Sequence, residues 1–282
     1  MLPGNQEVIR AWNTVLFDKW VRFRHAVTDG LAMHGTRAMD LHPPRAGARV
    51  VDIGCGFGDT TRELARRVGP SGHAVGIDVA ERFIEIARAE AAGVPNVEFQ
   101  LADVEAAVPG GPYELAFSRI GTMFFASPVI ALRNIRTALV PGGKLCMVVW
   151  RKKEANEAFY PAELIVRDVL GDPPKGDHVT CGPGPFSMAS CDLVSDQLLA
   201  AGYRDATFER CDADMQIGKD LDDAIEFSLA IGPAGEVVRL AGAAAAARRD
   251  EIVGALRRDL AKYVRPDGVW APSTTWIVTA TA

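Results

Sequence analysis

The stretch Val50–Thr61, VVDIGCGFGDTT, constrains this chain more than any other. Val50 to Ile53 has the length and apolar character of a short strand, and Gly54, Gly56 and Gly58 follow it at alternate positions. Thr60 to Val68 then reads as a helix. Thr60 and Glu63 have capping-box spacing, Leu64 and Val68 share a face, and Gly69-Pro70 ends the run. A strand that turns into a helix through glycines lets backbone N–H groups approach a ligand with no side chain between. Many nucleotide folds share such a turn, and a purely structural turn is the competing reading.

The alternation continues to Trp150. Strands are expected at His73–Asp78, Val97–Leu101, Tyr113–Ser118 and Lys144–Trp150. Helices pass through Phe83, Ile86 and Ala87 and start again at Ser127-Pro128, a cap followed by a first-turn proline. Short connections between alternating strands and helices imply a parallel sheet covered on both faces. Ligands of such sheets bind beyond the carboxyl ends of the strands. Beyond Trp150 come a helix over Ala158–Leu170, a Pro/Gly-rich loop over Gly171–Pro185 and a helix over Asp192–Ala200. Strands at Thr207–Cys211 and Thr275–Thr281 enclose helical segments around Asp220–Ile231 and Ala244–Val264.

The expected organisation is an N-terminal helical segment (1–47), a core (48–150), a helix and Pro/Gly-rich cap (151–205), and two last strands (206–282) around a helical insertion at about 218–265. In the first segment Trp12, Leu16, Trp20 and Phe23 fall on one face, suited either to core packing or to a lid over the site.

Three acids sharpen the reading. Asp52, Asp78 and Asp103 close three successive expected strands, 26 and then 25 residues apart, so they should project toward one rim. Acids gathered at a glycine turn repel a pyrophosphate and suit a cationic ligand rich in hydroxyls and amines. Asp78 has the position of a carboxylate that accepts two ribose hydroxyls, in bonds worth roughly 1.5–3 kcal/mol each. The dinucleotide fingerprint fails as well, because the glycine it requires at position 59 is Asp59.

Composition narrows the classes further. With 48% apolar and 24% charged residues the 282-residue chain can bury a large core. A net charge of −5 argues against nucleic acid as a partner. The five cysteines form no Cys-x-x-Cys pair and the histidines are scattered singly, so neither a disulfide frame nor a metal site is expected. No apolar run approaches the roughly 20 residues of a membrane span, and no secretory pattern opens the chain; a cytoplasmic protein is expected.

VVDIGCGFG, then GIDVA, LADVE and LVPGGKL, resemble in order the motifs of class I S-adenosylmethionine-dependent methyltransferases. The resemblance is strong over residues 47–150 and looser over the last two strands. It is similar within that class to ubiquinone/menaquinone-type and bacterial small-molecule enzymes. The resemblance implies an α/β fold: a Rossmann-like, doubly wound sheet of seven strands, the last antiparallel and inserted between the fifth and sixth. It implies S-adenosyl-L-methionine as cofactor and S-adenosyl-L-homocysteine as product. By position, Gly54, Cys55 and Gly56 would hold the methionine end, with Asp52 near its ammonium and Thr60 near its carboxylate. Asp78, with Val79 beside it, would take the ribose, Asp103 and Val104 the adenine, and Ser118 would lie beneath the methionine.

Transfer from a sulfonium needs alignment more than a dedicated base, and the sequence advertises none. His34, Arg119 and Tyr160 are the candidates for a catalytic or anion-holding group, each with an ordinary structural role as its competitor; His25 and His178 are further histidines outside the motifs. Trp20, Met123, Phe124, Trp150 and Phe186 are the expected acceptor walls, suited to a small or medium, largely apolar molecule. A protein or RNA methyltransferase and a nucleotide-dependent oxidoreductase are the alternatives. The strand-four exit reads SRIGT and lacks the Asn/Asp-Pro-Pro-Tyr signature of many nucleic-acid methyltransferases.

Overall fold

A computed structural model describes residues 5–172 and 183–282. Helices α1 (Gln6–Asn13), α2 (Val15–Arg22) and α3 (Ala32–Leu41) precede the sheet, with a π-helical turn at His25–Asp29. Strand β1 (Arg49–Ile53) leads through the glycine turn into α4 (Asp59–Val68). Then come β2 (His73–Asp78), α5 (Glu81–Glu90), β3 (Val97–Leu101), β4 (Tyr113–Arg119), α6 (Pro128–Thr137) and β5 (Leu139–Trp150). Helices α7 (Tyr160–Leu170) and α8 (Cys191–Ala200) lead to β6 (Arg204–Gly218). Four helices follow: α9 (Leu221–Ala230), α10 (Gly232–Ala241), α11 (Ala243–Ala247) and α12 (Arg249–Leu260). The short β7 (Val264–Arg265) and the long β8 (Gly268–Thr281) complete the chain.

The sheet runs β3-β2-β1-β4-β5-β8-β6, with β7 paired to β8. β1 to β5 are parallel, and β8 lies antiparallel between β5 and β6, as expected. Two expectations need correction. An eighth, two-residue strand is present. β6 and β8 also extend well beyond the segments expected for them. β6 is an edge strand and keeps charged residues such as Glu209 and Arg210 along much of its length, which hides its extent from a hydrophobicity reading. Helix α10 was also missed in sequence. Gly232-Pro233 looks like a stop, yet Pro233 sits in the helix's first turn, where its missing N–H costs nothing.

Each central element buries the face its pattern predicts. Leu64, Ala65 and Val68 of α4 are at most 1% exposed, and Val50, Val51 and Ile53 of β1 are fully buried. The capping box does not form. The helix starts at Asp59 after Gly58 (φ 76°), Thr60 is buried, and Glu63 pairs with Arg66 and Arg67 instead. A Cβ on Gly58 would stand 2.5 Å from the Phe99 ring, so packing of the turn on β3 excludes every larger residue there. Among the described residues no helix is long and apolar enough to cross a membrane.

Candidate functional site

Register explains how the three acids are placed. Asp52 on β1 aligns with Gly76 on β2, and Asp78 at the end of β2 aligns with Leu101 on β3. Each acid therefore stands two residues beyond the previous one, a stagger of about 7 Å at the strand rise. Asp78 and Asp103 reach a cavity of about 550 Å³ beyond the strand ends. Asp52 does not line it. It is 1% exposed, accepts the Thr61 hydroxyl at 2.7 Å beneath the turn, and burial pushes its carboxyl up to about 7.

One end of the cavity is polar and built from backbone. Gly54 and Cys55 donate their N–H groups to the Ile77 carbonyl, at 2.8 and 3.1 Å, which ties the glycine turn to β2. Asp78 Oδ2 accepts Gly56 N–H at 2.9 Å, and Oδ1 accepts Ala80 N–H at 2.9 Å. Burial pushes the Asp78 carboxyl up, and these N–H groups pull it back. A Cβ on Gly56 (φ 52°) would meet no atom within 4 Å, so the turn leaves open space there. Asp103 accepts Glu105 N–H on Oδ1 at 2.9 Å and the Asn5 carboxamide on Oδ2 at 3.0 Å. Val79 and Val104 line the cavity beside them.

The other end is aromatic. Phe124, Trp150 and Phe186 line it, joined by Phe159 and Phe227, while Trp20 lines the cavity beside Trp12 on the Phe57 and Phe83 side. Trp150 stands edge-on to Phe159 at 5.2 Å between ring centres, and Trp12 to Phe124 at 5.1 Å. Arg119 also lines the cavity. It donates to Asp59 Oδ2 at 2.6 Å and to the Thr28 carbonyl at 3.2 Å, and all three residues line the cavity.

Several expected site residues lie elsewhere. Ser118 is buried and donates to the Ile53 carbonyl at 2.8 Å; neither it nor buried Thr60 lines the cavity. Met123 is 1% exposed and packs in the main core. His34 is sealed in the protein between Ser273 (2.8 Å), Thr275 (3.1 Å) and Cys211, and burial lowers its pKa to about 4. Tyr160 begins α7 outside the cavity lining. His25 faces Asp223 at 2.6 Å, and His178 lies outside the described residues. No group of three or more potential metal-ligating side chains occurs among the described residues.

Sequence reasoning passed over Glu105, Asp59, Phe159 and Phe227. Glu105 is 5% exposed, and its two oxygens accept the N–H groups of Ala126 (2.7 Å) and Ser127 (3.0 Å). It thereby serves the start of α6, where Ser127 makes no side-chain cap. Its position two residues past Asp103 was the available signal. Asp59, directly after Gly58, was equally close to a motif; Phe159 and Phe227 stand in segments with no local signature.

Residues 44–168 match the family model described as a methyltransferase domain. Over 113 residues the chain is 37% identical to nocamycin O-methyltransferase of Saccharothrix syringae, covering 39% of this chain and 40% of that one. Over 135 residues it is 33% identical to aklanonic acid methyltransferase of Streptomyces sp. strain C5, covering 46% and 60%. The chain thus spans between about a third and three fifths of the curated relatives it matches. Among solved structures, the YcgJ protein of Bacillus subtilis shares the fold with a TM-score of 0.54 at 15% identity, over 88% of this chain and 97% of that one. A candidate methyltransferase of Bacillus halodurans C-125 does so at 0.52 and 17%, with the same coverage. The strand order and these matches agree on one point: residues 44–168 have the pattern of a methyltransferase domain.

Proposed function

We propose that the cavity binds S-adenosyl-L-methionine and directs its methyl group to a small or medium, largely apolar acceptor. The observation that carries this reading is the division of one cavity into an acidic, backbone-lined end and an aromatic end. The residues fit the cofactor. Open space over Gly56 suits a backbone-hugging ligand, and Asp78 and Asp103 suit hydroxyl and amine donors next to a sulfonium.

In this assignment Gly54, Cys55 and Gly56 hold the methionine end, Asp78 with Val79 the ribose, and Asp103 with Val104 the adenine. Asp52, Thr60 and Ser118 act behind them: Asp52 holds Thr61 and Ser118 holds the end of β1. When bound, the cofactor supplies an electrophilic methyl carbon. The protein's task is to hold an acceptor in line with it and to keep water out, and alignment alone is worth about 7–11 kcal/mol. Residues 5–47 serve as the lid, 48–150 as the cofactor core, and Phe159, just before α7, meets Phe227 of α9 at the acceptor wall, 6.2 Å between ring centres. The relatives named for nocamycin and aklanonic acid support a small organic acceptor.

Calorimetric titration tests the reading. S-adenosylhomocysteine should bind in the micromolar range and NAD(H) not at all, and Asp78→Ala should weaken binding at least tenfold (about 1.4 kcal/mol) with the fold intact. Binding of NAD(H) in place of S-adenosylhomocysteine would end it.

A further inference from the structure

We propose that helix α1 is a self-closing gate over the nucleoside end of the cavity. Its latch is the Asn5 carboxamide, which occupies on Asp103 the place that an incoming purine amine requires. The inference rests on the donor reading above.

Asn5 Nδ2 donates to Asp103 Oδ2 at 3.0 Å across 98 residues of sequence, and Asn5 is only 6% exposed. Asparagine directly before a helix ordinarily turns its oxygen onto the N–H groups of the first turn. Asn5 makes no such bond; its backbone is helical (φ −91°, ψ −17°) and its amide reaches the distant carboxylate. A residue type suited to capping is therefore used to hold Asp103. Glu105 N–H already takes one acceptor site on Oδ1, so with Asn5 on Oδ2 both oxygens hold a donor before a ligand arrives.

The substitution is chemically close. A carboxamide and an aminopurine each present a planar NH₂ on a trigonal carbon, and each donates in plane to a carboxylate oxygen. The rest of α1 is placed for the same task. Val8 and Trp12 line the cavity behind Asn5, and Trp12 lies 5.0 Å from Trp20 and 6.4 Å from Phe83 between ring centres. Beyond Thr14, α2 is fastened to the core by Phe17 on Phe83 and by Asp18 with Arg82. The end of α1 is held as well, since the Asn13 carboxamide oxygen accepts Glu81 N–H at 2.9 Å, so release of Asn5 frees the start of α1 while its end and α2 stay anchored.

A latch that competes with the ligand reduces apparent affinity by the fraction of time it is closed. Asn5→Ala and Asn5→Ser should each bind S-adenosylhomocysteine about fivefold more tightly than the wild type by calorimetry. Their association should also be faster in stopped-flow tryptophan fluorescence, which Trp12 and Trp20 report. Unchanged or weaker binding in both folded variants, with wild-type binding intact, would overturn the gate alone: Asn5 would then be sharing the amine or only packing. A folded wild type that fails to bind S-adenosylhomocysteine would overturn the donor reading and the gate with it.

Discussion

The two ends of the cavity are built by different means. The acidic end comes from strand tips and tight turns, and its carboxylates are held by N–H groups two positions on or in the turn after β1, with Asn5 added on Asp103. The aromatic end is assembled from the turn after β4, the end of β5, the residue before α7, α9 and the Phe186 loop. A site made of local backbone geometry leaves a signature in consecutive residues. A wall made of side chains from distant segments does not. On the proposed function the first end governs affinity for the donor, and the second governs stability and acceptor choice.

Mutations can separate those assignments. The largest effect should come from the aromatic end. Phe227→Ala removes a fully buried ring and should cost about 3–5 kcal/mol of stability in denaturant unfolding. A cost below about 1 kcal/mol would mean that this wall is not part of the core.

The next effect concerns Asp52, which belongs to the acidic group in sequence but not in space. Its carboxyl, ordinarily near 3.8, is pushed up to about 7 by burial, so the folded chain keeps a proton that the unfolded chain releases. The stability from that group is complete below about pH 4 and lost as the pH rises to about 7. Asp52→Asn removes the loss and should gain about 2 kcal/mol on the wild type between pH 5 and pH 7. A pH-independent difference would show that Asp52 is ionised in the fold. His34, lowered to about 4, has the opposite sign: its contribution is present above about 6.5 and lost as the pH falls. The two slopes oppose each other in the wild type, which is why single variants are needed.

The smallest effect is the sharpest test of the division. Phe186→Ala should leave S-adenosylhomocysteine affinity within about twofold, since Phe186 lines the aromatic end beside Trp150 and Phe159. A tenfold loss by calorimetry would merge the two ends into one site.

Much of the fold was legible because its core obeys local rules. β2 and β3 fall where alternation and glycine stops placed them, and β8 sits between β5 and β6 as the resemblance implied. The misses have physical causes. Charged residues are tolerated along the edge strand β6, and a proline that reads as a stop starts α10. Within the site, the spacing of Asp52, Asp78 and Asp103 gave their strands correctly but could not give their depth. That depends on register, which pairs Asp52 with Gly76 and leaves it below the turn. His34 lies on a helix that carries a mixed face, and only the tertiary contacts with β6 and β8 reveal it as a packing residue.

The position of β8 has a consequence for how the molecule can be made and cut. Residues 44–168 supply five parallel strands, but the free margin of β5 is closed by β8, and β6 joins the sheet through β8 alone. A nascent chain emerging from the ribosome therefore carries an unzipped sheet until β8 itself, Gly268–Thr281, has been synthesised after everything from Arg151 to Asp267. An excised 44–168 fragment would expose the bare β5 margin permanently, and should self-associate through it instead of standing alone as a soluble unit.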